Sequence, residues 1–310
     1  MTQIAPPDPQ RFDFSRMLVI GGVNYTGWAL AVLGLIVSVL VYQIVGFRFE
    51  FPAFITDRFD FALAINNGED WLKANVRSTT RAIAKVVTGF IEEVEYFLQV
   101  RPWPFVVAVL ALMALRFGGL RLGLFTVLAV MFWGAMDMWD PAMSTLALMG
   151  VSVLISVALG VPLGIWCSQS DRVESFVRPI LDTMQTMPAF VYLLPAIFLF
   201  GIGETGAAMA IIIYAMPPVV RLTNLGIRQV PATSVEVAQS FGSTRLQTMV
   251  KVQIPQAIPS IILGINQTIM MALGLAVLAV FIGTGGLGRE VYSALTKLKV
   301  GWAFEAGMCI

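Results

Sequence analysis

Histidine is absent from the 310 residues, and cysteine occurs only at Cys167 and Cys309. The first absence removes the commonest metal ligand and the side chain that titrates nearest neutral pH. It also leaves no partner for a serine nucleophile. The two cysteines lie singly in apolar surroundings and read as small buried hydrophobes rather than redox groups. Charge is scarce as well: 13% of residues are charged, against about 25% in an ordinary soluble domain. So few charges cannot cover a soluble surface, and a net charge of +1 does not favour nucleic acid. No G-x-x-x-x-G-K-[ST] run occurs. GTGGLGRE (Gly283–Glu290) is rich in glycine but lacks the lysine, and reads as a turn leaving a membrane. The apolar runs hold no aspartate pair and no carboxylate cluster, and Glu204 stands alone. That speaks against an intramembrane enzyme and against an ion-coupled carrier.

What remains is apolar: 57% hydrophobic residues and a mean hydropathy of +0.81. Such a chain belongs to the membrane class, and its expected fold is an all-α polytopic bundle. The polar, proline-rich start MTQIAPPDPQRFDFSRM has no cleavable apolar region behind it, so the run near 27–47 reads as a true span. Further spans are expected near 102–117 and 121–138, joined by a tight RFGGLR turn. Others follow near 144–166, near 188–202 and 206–221 on either side of GIGETG, and near 257–283. A last apolar run opens at Trp302 and stops at Ile310, too short to cross, so it reads as a truncated span.

Residues 64–100 differ. Trp71, Leu72, Val76, Ile83, Val86, Val87, Phe90, Ile91, Val94 and Phe97 recur at helical spacing with charges between them, as one face. They suggest an amphipathic interfacial helix, broken near Ser78, with a soluble helix pair as the alternative. Three segments result: a tail over 1–26, a first span with its amphipathic scaffold over 27–101, and a core over 102–310. The arginine and lysine bias gives an orientation. It puts Arg11 and Arg16 at a cytoplasmic N-terminus, with Arg116, Arg121, Arg172, Arg178, Arg221 and Arg228 on the same side. Asp137 and Asp140 fall outside, and Arg289, Lys297 and Lys299 are exceptions.

Between two apolar runs lies a polar interlude, PATSVEVAQSFGSTRLQTMVKVQIPQAIP, from Pro231 to Pro259. Thr233 and Glu236 have capping-box spacing, and so do Thr244 and Gln247. Gly242 suits a left-handed helix end, and Pro255 and Pro259 are expected to stop the second helix. Helix, glycine turn, helix is dense local coding for a loop. It suits a rigid docking element, or a surface hairpin with no partner.

Glu236-Val237-Ala238, Gly242 and Val252-Gln253-Ile254-Pro255 resemble the EAA-x3-G-x9-I-x-LP motif of ABC importer permeases, with mild aliphatic substitutions. TMQTMPAFVYLLP (Thr183–Pro195), PPVVRLTNLGIRQVP (Pro217–Pro231) and KVQIPQAIPSIILGINQT (Lys251–Thr268) extend the likeness, over roughly 100–310, to glycine betaine/proline betaine importers. The resemblance implies a coupling loop near 228–256 that docks on an ATPase through Glu236, Ala238, Gly242, Arg245, Ile254 and Pro255. It also implies two ATP-binding cassette subunits that hold ATP and magnesium, a second permease copy, and an extracytoplasmic binding protein. This chain would be a multi-pass protein of a bacterial cytoplasmic membrane, with no catalytic residue, metal or cofactor of its own. Its cargo would be glycine betaine, or else choline, carnitine or trimethylamine N-oxide, moved by alternating access. Aromatic faces hold such cations, which makes Phe190, Tyr192 and Tyr214 candidate pathway residues. Asn266 is a fourth, with hydrogen bonding between helices as its alternative role.

Overall fold

The computed structural model describes residues 19–20, 23–24, 26–45 and 61–310, which fall into two units divided after Asn66. In the first unit, β1 (Val19–Ile20) and β2 (Val23–Asn24) pair antiparallel. α1 (Thr26–Val45) follows. Its described side chains from Trp28 to Gln43 are exposed or half-exposed, and almost all are apolar. A helix that is apolar all round suits lipid on every side. Most of the expected 1–26 tail lies outside the described residues, as do residues 46–60.

α2 (Phe61–Asn75) and α3 (Arg77–Val100) meet at Val76, where φ is −114° and ψ −20°, so the break precedes Ser78. α3 has three faces. Thr80, Ala84, Val87 and Ile91 are buried, while Ile83, Val86, Phe90 and Phe97 form a second apolar stripe that is exposed. Arg81, Lys85 and Glu92 occupy a third, polar face. The expected amphipathic helix is therefore also a packing element.

α4 (Trp103–Ala135) is broken at Gly119, where φ is 74° and ψ −173°. The chain turns back there and brings Leu115 against Gly123. This is the tight turn between two apolar helices that RFGGLR suggests, since a side chain at such a φ is strained. α5 (Trp139–Gln169), α8 (Glu204–Arg228) and α11 (Ile254–Leu278) form the centre. Small residues set their approach. A Cβ on Gly164 of α5 would lie 2.6 Å from the Val220 carbonyl oxygen and 2.7 Å from Thr223 Cβ on α8. Ala207, Ala208, Ile211 and Ala215 of α8 are buried with Ala147, Ala272 and Leu275. Close backbone approach is what holds helices together where lipid competes for apolar surface.

The expected span over 188–202 is a correction. α6 (Asp171–Thr186) and α7 (Ala189–Phe200) form one pair bent by 106°. At 12 residues, α7 is about 18 Å long, short of the ~30 Å hydrocarbon core. Side-chain contacts step the pair along α8: Asp171 meets Arg228, Asp182 meets Arg221, and Tyr192 meets Tyr214. Together α6 and α7 thus follow the length of α8 as one bent pair. The chain ends with α12 (Gly286–Thr296) and α13 (Val300–Cys309). Trp133 of α4 donates to the Cys309 carbonyl at 2.8 Å.

Candidate functional site

The polar interlude folds as α9 (Ala232–Ser240), a glycine turn and α10 (Arg245–Thr248). α9 ends in a Schellman motif: Ser243 N–H donates to the Ala238 carbonyl at 3.1 Å and Gly242 N–H to the Gln239 carbonyl at 2.8 Å. Gly242 has φ +78°, as the turn requires. α10 opens with a full capping box: Gln247 N–H donates to Thr244 Oγ1 at 3.3 Å, and Thr244 N–H to Gln247 Oε1 at 2.9 Å. The expected box at Thr233 and Glu236 does not form. Pro231 takes the N-cap position, so Thr233 already lies inside the first turn.

Pro255 and Pro259 do not stop the second helix. α10 passes through a π turn, Met249–Gln253, into α11, which contains both prolines. The Ile254 N–H donates to the Met249 carbonyl, five residues back. A proline ring clashes with the carbonyl four residues before it, and the widened turn accommodates Pro255 without a break.

Glu236, Gly242, Arg245 and Pro255 are exposed, and Ala238 and Ile254 half-buried. Beside them stand apolar side chains, of which only Val237 is a motif position. Phe241 is 87% exposed and Leu246 66%, and Val237 and Val250 are exposed too. Each is a large hydrophobe in an otherwise polar loop, which is the signal that would have found them.

This segment hangs from a charged base. Arg228, at the end of α8, pairs with Asp171 at 2.7 Å and Glu174 at 3.0 Å. It also donates to the Cys167 carbonyl at 2.9 Å and to Asn224 Oδ1 at 3.0 Å. Asn224 donates in turn to Glu174 at 3.0 Å, and Arg221 pairs with Asp182. A cavity of about 290 Å³ lies among Cys167, Glu174, Leu181, Arg221 and Arg228.

The opposite end is closed by α3. Thr80 donates to the Leu199 carbonyl at 2.9 Å. Thr88 and Thr205 share a hydrogen bond at 2.6 Å, and Ser144 donates to Glu95. These partners stand at the end of α7 and the starts of α8 and α5, so α3 lies across that end of the bundle. Beneath it, Gly203 N–H donates to the Ile282 carbonyl at 2.8 Å.

Of the four candidate pathway residues, Tyr192 and Tyr214 meet edge to face, with ring centroids 5.3 Å apart. Phe190 instead meets Phe281 at 5.1 Å, and Phe281 meets Tyr292. Asn266 is on the exposed face of α11 with Ile262 and Met270. The Tyr192 hydroxyl donates to the Met184 carbonyl, a contact that no local pattern foretells.

Residues 160–309 match the family described as binding-protein-dependent transport system inner membrane component. The chain is 44% identical over 82% of its length to 90% of the glycine betaine transport system permease protein of Bacillus subtilis. It is 40% identical over 79% of its length to 70% of the glycine betaine/proline betaine transport system permease protein of Escherichia coli. It is 45% identical over 74% of its length to 82% of a glycine betaine/carnitine transport permease protein of Listeria monocytogenes.

Proposed function

The chain belongs to the binding-protein-dependent transport system inner membrane components, and from that premise we propose that it is the permease subunit of an ATP-driven importer of glycine betaine. It is a multi-pass membrane subunit. Two separate ATP-binding cassette subunits hold ATP and magnesium and hydrolyse it. A second copy of the permease completes the membrane portion, and an extracytoplasmic binding protein delivers cargo at the α3 end. The charged end and the N-terminus face the cytoplasm.

One observation carries this reading: a prefolded helix–turn–helix at one end of the bundle, with Phe241 and Leu246 almost bare. Large exposed hydrophobes on a rigid loop mark a partner site. The Schellman motif at Ala238 and Gly242 and the capping box before Arg245 hold the loop's shape without help from a partner. Glu236 and Arg245 supply its charged rim, and Ile254 and Pro255 join it to α11. Cargo crosses between two permease copies, past Tyr192 and Tyr214, with Phe190 and Asn266 on the same route. Choline, carnitine and trimethylamine N-oxide present the same methylated cationic or dipolar head to aromatic faces. The Listeria relative, whose name includes carnitine, makes carnitine the first competitor to try.

Reconstitution tests the proposal. The permease, its ATPase and its binding protein are placed in proteoliposomes, with labelled glycine betaine offered with and without ATP. Accumulation that requires both ATP and the binding protein is expected. Accumulation that persists without ATP and collapses with an ionophore would replace this reading with an ion-coupled one.

A further inference from the structure

The bend between α6 and α7 raises a question of hydrogen bonding. In a helix the Met184 carbonyl would accept from the N–H of residue 188, but that residue is Pro188 and has none. Met187, one residue earlier, donates to Thr183 at 3.2 Å. The Met184 carbonyl would thus be an orphan at a helix end within an apolar bundle, where an unpaired polar group is costly. The Tyr192 hydroxyl, from the first turn of the next helix, donates to it across the bend. The same ring rests on Tyr214 of α8.

We propose that the Tyr192 hydroxyl latches this elbow, as a positioning residue that sets the angle between α6 and α7. α6 is fastened to α8 near the coupling segment through Asp171, Glu174 and Asp182. α7 ends at the loop under α3. An elbow of fixed angle passes movement of the first arm to the second, whereas a loose elbow absorbs it. The transport consequence rests on the importer reading given above; the angle itself does not.

The test compares Tyr192→Phe with Tyr214→Phe in the assembled importer in lipid. Both variants keep an aromatic ring, so Tyr214→Phe controls, in the distance readout alone, for the loss of a neighbouring hydroxyl. Spin labels are placed on exposed positions of the two arms by Ser175→Cys and Leu194→Cys, diluted with unlabelled permease. The interspin distance distribution should broaden in Tyr192→Phe and keep its wild-type width in Tyr214→Phe. Solute carried per ATP should fall about fivefold in Tyr192→Phe, the scale of one lost hydrogen bond of about 1 kcal/mol, with ATPase stimulation retained. An unchanged distance distribution overturns the latch. A broadened distribution with unchanged solute per ATP overturns its role in transport. If the wild-type assembly shows no ATP-driven uptake, the importer reading falls, and the distances still decide the elbow.

Discussion

The two ends of α8 are fastened by different chemistry. At its C-terminal end, Arg221 and Arg228 hold three carboxylates, an amide and a carbonyl. At its N-terminal end, Thr205 shares one neutral hydrogen bond with Thr88, and the neighbouring α7 end accepts another from Thr80. Charge-assisted bonds are roughly twice as strong as neutral ones, and a bidentate guanidinium fixes orientation as well as distance. Single hydroxyl bonds contribute about 1 kcal/mol each and are replaced easily by water. The charged end is thus the more firmly held of the two.

The largest expected effect comes from the loop at the charged end. Gly242→Pro cannot adopt φ +78° and deletes the hydrogen bond to the Gln239 carbonyl, a local cost of about 3 kcal/mol. Membrane insertion should be unchanged, and ATPase stimulation by the loaded binding protein should fall by more than about tenfold. Wild-type stimulation would detach the loop from coupling. Next comes Arg228→Ala, which takes the cation from half-buried Glu174, while the exposed Asp171 stays solvated. With Arg228 33% exposed, the loss should be about 2 kcal/mol, below that of a fully buried pair. The unfolding midpoint in detergent reads it, and Arg228→Lys should recover less than half, because an ammonium cannot reproduce the fork. At the hydroxyl end, Thr88→Val should cost about 1 kcal/mol by the same measurement, and adding Thr205→Val should return most of it. A loss at Thr88 equal to that at Arg228 would erase the contrast between the ends. The smallest effect is ionic. Raising salt towards 1 M shortens the screening length to about 3 Å and should narrow the gap between Arg228→Ala and wild type by a few tenths of a kcal/mol. The gap for Thr88→Val should not move.

Local features were legible in the sequence wherever the chain codes for them over a few residues. Gly242 foretold the left-handed turn, Thr244 and Gln247 their capping box, and Gly118-Gly119 the reversal inside α4. The apolar runs foretold α5, α8 and α11. Features that depend on distant partners were not legible. The 188–202 run reads as a span because nearly every residue there is apolar or small. Its bend opens at Pro188, and what holds it is Tyr192 on Met184 and Asp182 on Arg221, 39 residues away. The Thr233 box fails because Pro231 starts the helix early, a competition between two good local signals. Pro255 and Pro259 look like stops, but the π turn removes the clash at Pro255 and α11 continues through Pro259. At the candidate site the motif positions were visible. Phe241 and Leu246 were passed over although each is a large hydrophobe in a polar loop; how far each is exposed is seen only in the structure.

As a machine part, the chain from Arg245 to Ile282 is a run of 38 helical residues, about 57 Å at ~1.5 Å per residue. Its lower tip is the bare face around Leu246, and its upper tip is the Ile282 carbonyl that holds Gly203. That is a pushrod longer than the bilayer is thick. Such a run is long enough to join the loop around Leu246 to the Ile282 carbonyl through the whole ~30 Å hydrocarbon core.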